Sequence, residues 1–255
     1  TRWLGRIAAP LFFYALAVGF QHTRNRKKYL LRLYLANVGM VFFNQIMCML
    51  QRKLDYVAYQ PKNHNIFTTL FCAGVLICIW ENRKEKKKFF TYIGIYIFWQ
   101  AMVMGLAILA EAFDYVWRGN ALLQTVLRTN YIFPLLGGIW DAEGGVFFIV
   151  LGVWLYCAVE NKWKLALRYI LFCGAYMFMC QGDILYRIMS RFSFWGYHKL
   201  ADVIYFGSSF VGIPLGTSDL SLLTEFYQWM MIGALPIMLS CNGKRGKSLK
   251  WLFYA

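Results

Sequence analysis

The chain has 255 residues, 60% of them hydrophobic and 15% charged, with a mean hydropathy of +0.45. That is too apolar for a soluble domain of this size, and no polar stretch is long enough to fold as one. The net charge of +15 does not signal nucleic acid, because the cations are gathered into short segments between apolar runs of membrane-spanning length. The expectation is an all-α polytopic transmembrane helical bundle, a single integral membrane domain over residues 1–255.

The first expected span, Leu4 to Phe20, contains Pro10, which a transmembrane helix tolerates when neighbours satisfy the freed carbonyl. It runs into His22-Thr23-Arg24-Asn25-Arg26-Lys27-Lys28, and a second span follows from Tyr29 to Leu50. Gln51 to Asn63, with Asp55 and Pro61, reads as a loop. A third span, Asn65 to Trp80, meets Glu81-Asn82-Arg83-Lys84-Glu85-Lys86-Lys87-Lys88, and a fourth, Phe89 to Ala110, exits at Glu111 and Asp114. Val146 to Val159 and Leu165 to Cys180 are joined by Asn161-Lys162-Trp163-Lys164. Phe226 to Cys241 leads into Asn242-Gly243-Lys244-Arg245-Gly246-Lys247.

Alternating these spans, about seven in all, puts sixteen Lys and Arg against three acids on one side. That bias marks the cytoplasmic face. Leu122 to Leu127 carries an apolar face suited to an interfacial helix, and Val203 to Thr217, with Gly207, Gly212, Pro214 and Gly216, reads as a re-entrant segment. Counting both as spans gives a nine-span alternative, which moves Asn161 to Lys164 outside against the charge bias. The chain opens at Thr1 without a signal-peptide pattern and closes on apolar Trp251 to Ala255, so one further span is expected at each end. Seven cysteines scatter through the apolar runs without a CxxC pair, indicating neither a disulfide framework nor a zinc site.

The most informative polar segment is His22 to Lys28. Cations at a span end anchor it among lipid headgroups, but His22, Thr23 and Asn25 interleaved with Arg24, Arg26, Lys27 and Lys28 also suit a phosphate, which forked guanidinium groups and small polar side chains recognise. Arg6, just inside an apolar run, is a site candidate that is equally well placed to snorkel to the interface; for Arg32, one turn inside the second span, snorkelling is the stronger reading. Asn37, Asn44, Gln45 and Gln100 lie within spans, with Asn65, Thr68 and Thr69 at a span start; such groups bond neighbouring helices or line a polar cavity. Asp141 and Glu143 flank Ala142 in an expected loop, His64 stands at a helix start where a cap role competes with catalysis, and His198 has no evident partner. No GxSxG, P-loop, Rossmann or HExxH pattern occurs, and no metal-ligand spacing.

The block Leu4-Gly5-Arg6-Ile7-Ala8-Ala9-Pro10-Leu11-Phe12, followed by Gly19-Phe20 and by His22 to Leu33, closely resembles the TraX family of membrane proteins. Asn65-Ile66-Phe67-Thr68-Thr69-Leu70 and Trp229 to Pro236, leading into Asn242 to Gly246, agree with it. The resemblance implies a bacterial inner-membrane acetyltransferase that takes acetyl groups from cytoplasmic acetyl-CoA. Its acceptor would be membrane-associated, a pilin-like N-terminus or an envelope glycan, and neither a metal nor nucleic acid is implied. On that reading His22, Arg24, Asn25, Arg26, Lys27 and Lys28 would bind the CoA phosphates, while Arg6, Asn44, Gln45 and Thr68 would line the path to a catalytic histidine. The family's Asp-His pair and later histidine are expected beyond the two ends of this chain. The alternative is a non-catalytic membrane component of a pilus or envelope assembly system; a transporter reading lacks any internal repeat.

Overall fold

A computed structural model of the chain describes residues 2–53, 65–118, 131–140, 142–216 and 228–241. Its regular elements among those residues are helical. In chain order they are α1 (Arg2–His22), α2 (Arg26–Lys53), α3 (Ile66–Glu81), α4 (Lys86–Arg118), α5 (Gly145–Tyr156), α6 (Lys162–Gln181), α7 (Ile184–Phe194), α8 (His198–Val211) and α9 (Ala234–Ser240). Short 3₁₀ turns at Asn82–Lys84 and Gln228–Gly233 lead into α4 and α9.

Four stretches are long and apolar enough to cross a membrane: Arg26–Met47, Ile66–Lys84, Lys86–Ala110 and Lys162–Phe194. The expected first span is a continuous 21-residue helix with Pro10 inside it. The expected fifth span is shorter than its sequence suggested, because α5 holds 12 residues, about 18 Å against a hydrocarbon core of about 30 Å. Beyond Tyr156 the backbone turns instead, Ala158 N–H donating to Leu155 O and Asn161 N–H to Ala158 O. Two other expected boundaries also move. α2 continues through Lys53 into the expected loop, and α4 passes Glu111 and Asp114 to end at Arg118, since isolated carboxylates do not stop a helix. The expected interfacial stretch Leu122 to Leu127, together with His64 and Asp141, falls outside the described residues.

Short α5 is central. It packs between α1 and α3, and a Cβ on Gly152 would lie 2.9 Å from the Ala73 Cβ and 3.2 Å from a Phe13 ring carbon. Small residues allow this close approach, which drives association where lipid removes the hydrophobic preference for protein contact. Toward one end the same core becomes aromatic, with Phe148 edge-on to both Phe172 and Tyr176.

The helix ends sort by side. The last residue of α3, Glu81, meets Arg26 at the start of α2 and Tyr156 at the end of α5. Lys162 at the start of α6 reaches Leu239 near the end of α9. All these ends therefore share the face that carries the dense basic segments, and Asn161 to Lys164 lies there too. At the opposite end the backbones of Gly144 and Gly145 cross Gly212, with so little space that a Cβ on Gly145 or Gly212 would collide with the other strand of the crossing. Gly144, Gly145 and Gly212 all have positive φ (75°, 64° and 87°), a conformation that side chains disfavour. Of the segment expected to be re-entrant, Val203 to Thr217, the described residues hold the second half of α8 followed by this crossing.

Candidate functional site

Helices α1, α3, α5 and α9 all end at the basic face, so each presents unsatisfied carbonyls and the negative end of its dipole there. A cation meets each of them. Arg26 donates to the Phe20 and Thr23 carbonyls at the end of α1, and Arg83 donates to Trp80 O of α3 at 3.2 Å. Arg168 donates to Trp154 O of α5 at 3.2 Å, and Lys162 to Leu239 O of α9 at 2.7 Å. Part of the charge excess on the basic face is therefore a set of helix C-caps as well as a topological signal.

Arg26 does most of this. Its Nη2 lies 2.9 Å from Glu81 Oε1, its Nε donates to Oε2 at 3.3 Å, and its guanidinium stands 5.6 Å from the Phe20 ring centroid. Tyr156 Oη donates to the same Glu81 oxygen at 2.6 Å. The carboxylate thus ties α2, α3 and α5 together while Arg26 adds α1 through the Phe20 carbonyl, and the fork geometry that suggested phosphate recognition is engaged by a carboxylate and two carbonyls. Asn25 caps α2, its Oδ1 accepting from Lys28 N–H at 3.0 Å, a typical helix-start role. His22, Arg24, Lys27 and Lys28 are exposed around this junction. Their side chains make no hydrogen bond or ion pair among the described residues.

The intramembrane amides divide into two groups. Asn37 Nδ2 donates to Pro134 O at 2.6 Å, while its Oδ1 accepts from Asn65 Nδ2 and Thr68 Oγ1, each at 2.7 Å. Asn65 also caps α3 by accepting from Phe67 N–H. Gln100 donates to Gly137 O at 3.1 Å and accepts from Ile139 N–H at 3.0 Å. The carbonyls of Leu135 and Leu136 take Tyr34 Oη and Trp99 Nε1. These groups hold the broken backbone of residues 133–140 between α2, α3 and α4. Irregular backbone at membrane depth requires such satisfaction. Thr68 therefore has its partners within this frame. Asn44 and Gln45 stay half-buried on α2 without a bond among the described residues.

Arg6 belongs to a different place. It lines a cavity of about 530 Å³ with Glu143, Tyr176, Tyr205 and Ser208, walled by Phe13, Trp140, Phe148 and Phe210. The cavity sits in the half of the bundle opposite the basic face, and Tyr176 Oη ties one wall to the glycine crossing by donating to Gly212 O at 3.1 Å. Arg6 lies 16 residues before His22 along α1, about 24 Å, whereas Phe13 at the cavity floor is about 14 Å from it. Of the residues named from sequence, those for the cofactor gather at one end, Arg6 opens the other, and Thr68, Asn44 and Gln45 occupy neither. Among His, Cys, Asp and Glu of the described residues, no group of three is placed to hold a metal. Glu81 and Tyr156 escaped sequence reasoning: Glu81 stands in a charge run that reads as solvated, and Tyr156 carries no local signal among seventeen tyrosines.

No curated protein and no solved structure matches the chain. A family model described as TraX protein matches residues 1–194, from Thr1 to the end of α7, which takes in the basic junction, the amide-held segment and Arg6. The chain belongs to the TraX family.

Proposed function

We propose that this protein is a membrane-embedded acetyltransferase that moves the acetyl group of cytoplasmic acetyl-CoA to an amine or hydroxyl of a membrane-associated acceptor, such as a pilin N-terminus or an envelope glycan. The observation that carries the reading is the exposed cation set Arg24, Lys27 and Lys28, held by the Arg26 to Glu81 junction at the cytoplasmic end, in a chain of the TraX family. These three, with His22, would hold the CoA phosphates by charge-assisted contacts. The N-terminus of α2, from which they project, adds a favourable dipole. Arg26 serves that site by positioning it, since its own donors are engaged.

In the transfer, the acceptor nitrogen or oxygen bonds to the acetyl carbonyl carbon, the carbon to sulfur bond breaks, and the acceptor proton ends on the CoA thiol. The cavity bearing Arg6 opens toward the other side of the membrane and would receive the acceptor. Phe13 and Phe148 are buried in the cavity wall, where they would keep water from a thioester that hydrolysis would waste.

The test uses the full-length protein in nanodiscs. Arg24→Ala, Lys27→Ala and Lys28→Ala together should weaken acetyl-CoA binding at least tenfold, a loss of about 1.4 kcal/mol or more, with unchanged thermal stability. Equal affinity in the triple variant overturns the phosphate assignment. Mass spectrometry of pilins and envelope glycans from cells with and without the protein then identifies the acceptor, and no acetylation difference defeats the enzyme reading.

A further inference from the structure

Helices α7 and α8 form a hairpin that leaves the bundle. Asp183, in the left-handed region at φ 48°, breaks α6 from α7, and α7 has no buried residue. The turn between the helices presents Phe194, Trp195 and Tyr197, which are 87%, 62% and 61% exposed. Arg187 and Arg191 stand four residues apart on α7, on one side of the helix, and Lys199 follows on α8; all three are exposed. Asp202 is the only exposed acid on either helix.

The height of this hairpin is bounded. Phe206 and Phe210 pack on Trp140, with centroids 6.5 and 4.7 Å away, and Trp140 Nε1 bonds Gln100 O. Gln100 lies 14 residues into α4 from Lys86, about 21 Å from the cytoplasmic boundary of a hydrocarbon core about 30 Å thick. The base of α8 is therefore at hydrocarbon depth in the outer leaflet. Tyr197 is nine residues from Phe206, so even an upright hairpin carries its tip to only about 35 Å, within the headgroup layer of a bilayer 40–45 Å thick overall. Any tilt brings it deeper.

We infer that the α7–α8 hairpin lies in the outer-leaflet headgroup layer, with Phe194, Trp195 and Tyr197 at the boundary of the acyl chains and Arg187, Arg191 and Lys199 on the phosphates of anionic phospholipid. Aromatic rings with one wet edge favour that layer. Cations flanking apolar side chains complete the pattern of an interfacial amphipathic element. A soluble protein partner fits less well, because it would have to reach a surface whose base is sunk among acyl chains.

The test places the photoreactive residue p-benzoylphenylalanine in the full chain at position 194, 195 or 98, Phe98 being 72% exposed midway along α4 as a lipid-facing control. The protein is irradiated in native membranes, and in vesicles of mixed phosphatidylglycerol and phosphatidylcholine. Positions 194 and 195 should give phospholipid adducts within about threefold of the yield at 98. In the vesicles, Arg187→Gln, Arg191→Gln and Lys199→Gln together should lower the ratio of phosphatidylglycerol to phosphatidylcholine adducts at 194 at least threefold. Absence of lipid adducts at 194 and 195 while 98 gives them, or a dominant protein adduct in native membranes, overturns the placement. An unchanged adduct ratio in the triple variant overturns the anionic preference.

Discussion

Glu81 is the residue on which the basic end depends. Its carboxylate accepts from Arg26 and Tyr156 with both charged partners less than a third exposed, so removing its charge strands a guanidinium against helix carbonyls. Glu81→Gln should lower unfolding free energy by about 1–3 kcal/mol, and Tyr156→Phe by about 1 kcal/mol. Arg26→Gln combined with Glu81→Gln should cost less than the sum of the single changes. Denaturation in mixed micelles measures all three, and strictly additive losses would show that the pair does not couple. The reading of Arg26 as a phosphate ligand follows from its local context, a run of cations. Its partners are 55 residues away in Glu81 and six away in the Phe20 carbonyl, and no short-range pattern encodes the first of these.

Among the elements, the segment 133–140 shows how polar groups inside spans are used. The amides of Asn37, Asn65 and Gln100 and the hydroxyl of Thr68 are each bonded and buried. What the sequence concealed was the common target, because Phe133-Pro134-Leu135-Leu136-Gly137 is apolar and offers no polar side chain to mark it. The backbone there is broken, and its carbonyls rather than its side chains are the polar groups to be matched. Conversely, Gly and Pro drew attention to Val203 to Thr217, where the glycine at 212 serves a backbone crossing at a helix end. Asn37→Ala would strip the donor from Pro134 O and leave Asn65 Nδ2 and Thr68 Oγ1 without their shared acceptor, at a cost of about 2–4 kcal/mol. Asn44→Ala, about two turns further along α2 and without a bond among the described residues, should cost less than about 0.5 kcal/mol. Comparable losses at the two positions, measured in the same micelle titration, would contradict the division of the amides.

At the scale of the whole molecule, the charge distribution and the helix caps express one orientation. The periodic apolar runs made α1, α2, α3, α4 and α6 legible as helices, and the basic punctuation made their ends legible, because both follow from local composition. The length of α5 was not, since its shielding by α1 and α3 lets an apolar helix stop short of the bilayer thickness. The sidedness of its exit is nevertheless fixed by the Tyr156 to Glu81 bond, which brings Cys157 and the turn to Asn161 to the face bearing Arg26. Cys157 is an exposed free thiol there, and Cys241, just past α9, is exposed at the same face. A membrane-impermeant maleimide should therefore modify both in inverted membrane vesicles and neither in intact spheroplasts, with peptide mass spectrometry distinguishing them from the buried Cys72, Cys173 and Cys180. A nine-span arrangement carries the α5 to α6 turn across the membrane and reverses the result for Cys157. Modification of Cys157 in spheroplasts would thus reject the orientation on which both the cytoplasmic acetyl-CoA site and the outward cavity depend.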